Sequence, residues 1–312
     1  MKDKRILFFL MGPTAIGKSL FSMQVKKKFS EIELLSVDSK LIYKELNIGT
    51  DKPTQEELLL TPFRLINIKN LKETYSTADF CNDAYKEMHD IFTNRKIPFF
   101  VGGSMLYFKA LLDGLVYLPS SNQHVREYIF KILFNANKKK LFNALKIFDY
   151  ISSTKIHIND VYRVVRALEV FFVSGGIPLS KLLTLRQNKL PYRVFQFAFL
   201  PFNKDVLYEK ISMRFYNMLD NGFEKEVQDL SNQFSFKHHL PFMNSIGYKQ
   251  MWDYLKKKCT YQNMVTNTLR ATHKLVKHQL TWLRKWKNIT FIYDNNKDAL
   301  MEKIEQIINK NK

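Results

Sequence analysis

Ile6-Leu-Phe-Phe-Leu-Met11, followed at once by Gly12-Pro-Thr-Ala-Ile-Gly17-Lys18-Ser19, decides the fold. The first stretch is a short continuous apolar run, as in a strand buried on both faces of a parallel sheet. The second fits the G-x-x-x-x-G-K-[ST] loop, and a helix is expected behind it over 18–29. The glycines of such a loop let backbone N–H groups curl around an anion, and the helix N-terminus adds its positive dipole end. Gly12, Pro13, Thr14, Ala15, Ile16 and Gly17 are therefore expected to cradle a phosphate group. Lys18 brings a mobile point charge to it, and the Ser19 hydroxyl suits a Mg²⁺ ligand.

Outward from this loop, strands are expected at 33–37, more weakly at 63–68, and at 97–101. A helix is expected at 77–93, where Phe80, Ala84, Met88 and Ile91 recur at helical spacing. After Gly114 the strand signals stop and Lys-rich amphipathic stretches follow at 125–134, 138–148 and 161–174. Strand patterns return at 193–200 and 289–293. The expected fold class is α/β, a phosphate-loop NTPase-like parallel sheet core with an inserted all-helical domain. The core would comprise 1–117 and 190–312, and the insertion 118–189.

With 46% apolar and 25% charged residues in 312, the chain is globular in composition, not disordered or fibrous. Lys+Arg number 49 against 29 Asp+Glu, a formal charge of +20 that favours polyanionic partners, although an AT-rich gene would also raise lysine. Cys81 and Cys259 are too few and too far apart for a disulfide framework or a zinc site. The apolar run at 6–11 is too short for a signal or membrane segment, so a cytoplasmic protein with no membrane partner is expected.

Enzymes that hydrolyse nucleotides on such a loop hold Mg²⁺ with an Asp ending another core strand. Here the strand at 97–101 runs into Gly102-Gly103, and the strand-terminal acid is Asp38, in Leu34-Leu-Ser-Val-Asp38-Ser39. Asp38 is open to three readings: a metal ligand, a base facing an acceptor substrate, or a solvated strand end.

Beyond the loop, a series of blocks closely resembles the bacterial tRNA dimethylallyltransferase (tRNA isopentenyltransferase) family. The blocks are Ser36-Val-Asp-Ser39 with Tyr43, Asn47-Ile-Gly-Thr-Asp-Lys-Pro53, Tyr75-Ser-Thr-Ala-Asp-Phe80 and Val101-Gly-Gly-Ser-Met-Leu-Tyr107. They continue in Ile156-His-Ile-Asn-Asp160, Arg163-Val-Val-Arg-Ala-Leu-Glu169, Gly222-Phe-Glu-Lys-Glu-Val227, Ile246-Gly-Tyr248 and Gln279-Leu-Thr-Trp-Leu-Arg284. The resemblance implies transfer of a dimethylallyl group from dimethylallyl diphosphate to the exocyclic amine of the adenine 3′ of a tRNA anticodon. It makes Asp38 the general base and adds Arg214, in Ser212-Met-Arg-Phe215, to Lys18 and Ser19 as catalytic residues at the diphosphate.

The implied partner is the anticodon stem-loop of tRNA, a single-stranded target whose bases can be splayed out. The residues implied to contact it are Asp38, Ser39, Lys40, Leu41, Gly102, Gly103, Ser104, Arg126, Tyr162, Arg163, Arg166, Gly247, Tyr248 and Gln279. Arg270, Lys274, Lys277 and Arg284 complete the set, grouped on one side of a helical wheel with Leu269, Val276, Leu280 and Leu283 on the other. Arg163 and Arg166 lie one turn apart and are expected to share a strand of the loop, unless Glu169 pairs with Arg166.

The chain departs from the family pattern at Ile16, at Val161-Tyr162, at Asn244, and at His273 and His278. All but Ile16 concern RNA contacts. Two other readings share these features: a small-molecule kinase on the same loop, and a non-catalytic RNA-binding module. Nothing in the sequence marks an interface, so a monomer is expected.

Overall fold

The computed structural model describes residues 5–114, 116, 118–134, 137–185, 189–234 and 241–311. Six strands form one sheet: β1 (Ile6–Met11), β2 (Ile32–Val37), β3 (Phe63–Arg64), β4 (Ile97–Gly102), β5 (Arg193–Leu200) and β6 (Thr290–Tyr293). Their order is β3-β2-β4-β1-β5-β6, and every neighbouring pair is parallel. β1 is buried along its whole length. The Phe8 ring meets Phe99, Phe195 and Phe197 with centroids 5.7, 5.8 and 6.2 Å away. Burying such a ring contributes about 1.5–3 kcal/mol, so the aromatic run itself drives β1 to the centre.

The strand order decides where a ligand can sit. From β1 the chain passes to β2, leaving room for β4 between them, then crosses to the other side of β1 for β5. In such sheets the crevice at the carboxyl ends of the strands, where the winding direction switches, receives the ligand. The phosphate loop leaves β1, Asp38 leaves β2 and Gly103-Ser104 leaves β4, all at that edge.

The expected strands at 33–37, 97–101, 193–200 and 289–293 match β2, β4, β5 and β6 to within a residue or two at their ends. The one expected at 63–68 shrinks to Phe63–Arg64, because Leu65 and Asn67 take positive φ of 64° and 57° and turn the chain out of the sheet. The segment 125–134 is not one helix. An α-helix at Gln123–Tyr128 passes into a π-helix at Ile129–Phe134.

The chain divides into two compact units, Met1–Ala110 with Pro191–Lys312, and Leu111–Leu190. The second therefore begins at Leu111 rather than at 118. The first carries the sheet and a second apolar cluster, where Phe215, Phe223, Val227, Tyr248, Met251 and Met264 pack helices Lys204–Asp220, Phe223–Gln233, Tyr248–Leu255 and Tyr261–Arg284 together. The second unit is helical and closes on Ile129, Leu141, Leu145, Val164, Val165 and Leu168. Among the described residues no helix is long and apolar enough to cross a membrane.

Candidate active site

The loop after β1 is held from below. Ile16 is 1% exposed and packs in the sheet's core cluster, pinning the loop where it departs from the family pattern. Ala15 and Gly17 sit at φ 62° and 91°, the left-handed region that Gly17 enters at no steric cost. Gly17 precedes helix Lys18–Lys28 with no side chain capping it, so the first amides of that helix remain open to an anion.

Lys18 is half-buried and donates from Nζ to the Pro13 carbonyl at 2.6 Å. Burial foremost, and then the nearby Arg214 charge, lower its pKa to about 7 against the opposing pull of Asp38. The site therefore holds a lysine poised to take up a proton when an anion arrives.

Gln279, 7% exposed on helix Tyr261–Arg284, joins two edges of the site. Its Oε1 accepts from Thr14 N at 3.0 Å, and its Nε2 donates to Gly103 O at 3.1 Å. The bridge ties the phosphate loop to the glycine turn after β4. Gly102 is required there, since a Cβ would stand 2.1 Å from Val37 O. Ser104 N donates to the same carbonyl at 3.3 Å, so this turn braces the residue just before Asp38.

Asp38 is half-buried at the end of β2, and its Oδ1 accepts from Lys40 N at 2.7 Å and Leu41 N at 3.3 Å. Both bonds fall on one oxygen, Oδ1, which fixes the orientation of the carboxylate. Lys40 is lowered in pKa by burial, and Asp38 works against that shift.

A cavity of about 660 Å³ lies in this crevice. Of the residues singled out from the sequence, Thr14, Ala15, Gly17, Lys18, Ser19, Asp38, Ser39, Lys40, Leu41, Gly102, Gly103, Ser104, Arg214, Gly247, Tyr248 and Gln279 line it. Gly12, Pro13 and Ile16 form the buried underside of the loop. Tyr248 presents little surface, being 1% exposed with its hydroxyl donating to Glu226 at 2.6 Å. Arg214 pairs with Asp51 at 3.3 Å.

Ser19 is exposed on the cavity wall, and its hydroxyl is a hard oxygen donor of the kind Mg²⁺ takes beside phosphate oxygens. Among the described residues no cluster of three metal-binding side chains exists.

Lys297 is a residue that sequence reasoning missed. Its Nζ would stand 2.7 Å from a Cβ placed on Gly17, on the flank of the phosphate loop. It opens helix Lys297–Asn309, where a cation faces the positive end of the dipole, and that misfit was the available signal.

The family model for IPP transferase matches residues 41–286. The chain belongs to the IPP transferase family. Over 311 residues it is 59% identical to the tRNA dimethylallyltransferase of Buchnera aphidicola subsp. Cinara cedri (strain Cc), covering all of both chains. Among solved structures, the tRNA isopentenylpyrophosphate transferase of Staphylococcus epidermidis superposes with a TM-score of 0.70 at 30% identity, over 99% of this chain and all of that one. A eukaryotic dimethylallyltransferase acting on tRNA gives a TM-score of 0.77 at 25% identity, over 93% of this chain and 74% of that one.

Other expected RNA-contacting residues of this IPP transferase chain are not part of the cavity lining. Arg270, Lys274, Lys277 and Arg284 are all exposed on helix Tyr261–Arg284, while Val276, Leu280 and Leu283 are buried. In the helical unit, Asp160 caps helix Val161–Val173 by accepting from Arg163 N at 3.2 Å. Arg163 and Arg166 do not act as a pair. Arg163 is exposed beside Asp160, whereas Arg166 is bound to Glu169 at 2.7 Å and to Pro119 O at 2.6 Å. Glu169 is fully buried and also takes Arg126 through Nε at 2.9 Å and Nη2 at 3.1 Å. Arg126 and Arg166 thus neutralise a buried acid, and the fully buried carboxylate explains why they turn inward. Tyr162 is exposed, with the Arg126 guanidinium 6.0 Å from its ring centre.

Proposed function

We propose that this chain transfers a dimethylallyl group from dimethylallyl diphosphate to the N6 amine of the adenine 3′-adjacent to a tRNA anticodon, releasing diphosphate. One observation carries the reading: Asp38, after β2, and Lys18, behind the loop that leaves β1, line the same cavity at the carboxyl edge of the sheet, so a leaving diphosphate and an attacking amine can meet there. The names of the relative at 59% identity and of the solved structure acting on tRNA support the same reaction.

The bond from the allylic carbon to the diphosphate oxygen breaks, and the electron pair leaves with the diphosphate. The loop amides, Lys18 and Arg214 oppose the charge that grows there. The adenine nitrogen forms the new bond to carbon, and the Asp38 carboxylate accepts the proton that it loses. Without that base the amine is a weak nucleophile, because its lone pair is delocalised into the ring. Ser19 would hold Mg²⁺ together with diphosphate oxygens, and the ion when bound supplies further charge neutralisation.

The tRNA would reach the cavity across the exposed face of Arg270, Lys274, Lys277 and Arg284, with Arg163 and Tyr162 of the helical insertion as further contacts. The chain would act as a cytoplasmic monomer. Purified protein with Mg²⁺, dimethylallyl diphosphate and unmodified tRNA should yield N6-dimethylallyladenosine on nucleoside mass spectrometry. ATP hydrolysis or phosphoryl transfer in place of that product would restore the kinase reading. Tight tRNA binding with no product at all would restore the binding-module reading.

A further inference from the structure

The motif Asn47-Ile-Gly-Thr-Asp-Lys-Pro53 has no part in the chemistry above, yet its residues are held more firmly than a surface loop needs. The Glu226 carboxylate accepts from three successive amides, Asn47 N at 3.1 Å, Ile48 N at 2.7 Å and Gly49 N at 3.1 Å. The Tyr248 hydroxyl donates to the same carboxylate, and Gly49 lies against the Phe223 and Tyr248 rings. From the other side, the Lys52 ammonium donates to Tyr43 O at 2.6 Å, Asn47 Oδ1 at 2.9 Å and Asn67 Oδ1 at 2.7 Å. Asp51 is thereby held at φ 54°, a left-handed conformation that aspartate adopts at some cost.

All this fixes a carboxylate whose ion pair, among the described residues, is with Arg214 at 3.3 Å from Nη1. Both partners line the 660 Å³ cavity and also a second one of about 960 Å³ beside it. The pair therefore stands on the wall between the two.

We propose that Asp51 is a positioning residue of the diphosphate site, holding one edge of the Arg214 guanidinium so that its remaining donors face the anion. This rests on the reading of Arg214 as a diphosphate ligand. Arg214 presents a planar fork of donors, and an ion pair that draws Nη1 toward a carboxylate on a clamped backbone leaves the other N–H groups turned toward the anion. The same carboxylate is a like charge beside the product. Asp51 thus trades affinity for orientation: it weakens the hold on diphosphate and secures the geometry in which the leaving charge is met.

Two variants separate charge from position without straining the backbone. Asp51→Asn keeps an acceptor and tolerates positive φ, and Asp51→Gly removes the side chain at a φ that glycine prefers. Single-turnover transfer with saturating dimethylallyl diphosphate and tRNA reads the geometry, and calorimetric titration of inorganic pyrophosphate reads the affinity. Asp51→Gly should slow transfer by about tenfold, a modest share of what misplacement by an ångström costs. Both variants should bind pyrophosphate about threefold tighter, and Asp51→Asn should transfer within about twofold of the parent rate. A parent-like transfer rate in Asp51→Gly, or parent-like pyrophosphate affinity in both variants, overturns the proposal. Arg214→Ala is the control: if it binds pyrophosphate as tightly as the parent, the assignment of Arg214 itself fails, and the Asp51 result is then read apart from it.

Discussion

Lys18 couples the site to pH. In the empty protein its pKa is lowered to about 7 by burial and by Arg214, against an ordinary 10.5. Between pH 7 and 10.5 the unfolded chain carries a proton there that the folded chain lacks, so this residue makes folding more favourable as pH rises through that window. Below pH 7 both states hold the proton, and the cost of the buried charge is fully present. Anion binding reverses the shift, so binding of dimethylallyl diphosphate at pH 8 should draw close to one proton from solution. Calorimetry in two buffers of different ionisation enthalpy measures this directly, and equal heats would count against the assignment. The uptake should fade below pH 6 and vanish in Lys18→Met. Asp38 is tested differently, since its place is the amine. Asp38→Asn keeps the acceptor for the Lys40 and Leu41 amides but removes the base, and kcat should fall by about 10²–10⁴ with tRNA affinity within about twofold of the parent.

Between elements, the site depends on contacts that sequence distance conceals. Gln279 bonds Thr14 across 265 residues and Gly103 across 176. Gln279→Ala strands a part-buried amide and carbonyl, at a cost of about 1–3 kcal/mol. Urea denaturation should show that loss together with weaker diphosphate binding; a variant unchanged in both would mean that the bridge does not organise the loop. Gly102→Ala drives a methyl to 2.1 Å from Val37 O, so β4 and β2 must part, costing about 1–3 kcal/mol or more. These cases mark the limit of what a sequence discloses. The strand, loop and helix at 6–28 were legible because the pattern is local, and Asp38 because a strand end is visible as the close of an apolar run. The pairing of Glu169 with Arg166 was open in the sequence as an i, i+3 alternative, but the burial of Glu169 and its capture of Arg126 were not, since they depend on neighbours far along the chain. Lys297 was hidden for the same reason: no spacing rule connects it to Gly17. Asn47–Pro53 was visible as a motif, but its aim at Arg214 exists only once Glu226 and Lys52 have clamped it.

At the scale of the molecule, a formal charge of +20 has to be divided between cations that meet RNA and cations that hold the fold. Exposure and pairing make that division. Arg270, Lys274 and Lys277 are exposed on one helix face, and no ion pair to another described residue occupies them. Arg126 and Arg166 are spent on a buried carboxylate. Cations that neutralise phosphates release counterions, so the logarithm of tRNA affinity should fall linearly with the logarithm of salt concentration. Replacing Arg270, Lys274 or Lys277 by Gln should flatten that slope by about 0.7–0.9 per residue and weaken binding evenly across tRNAs. Arg126→Gln and Arg166→Gln should instead leave the slope within about 0.2 of the parent and lower the unfolding midpoint, because each leaves Glu169 short of a partner. Filter binding of one tRNA from 50 to 300 mM salt, set beside thermal unfolding of the same five variants, separates the two groups. If the slope changes followed Arg126 and Arg166 while the helix-face variants bound like the parent, the RNA would approach across the helical insertion, and the exposed stripe would be no more than a solvated surface.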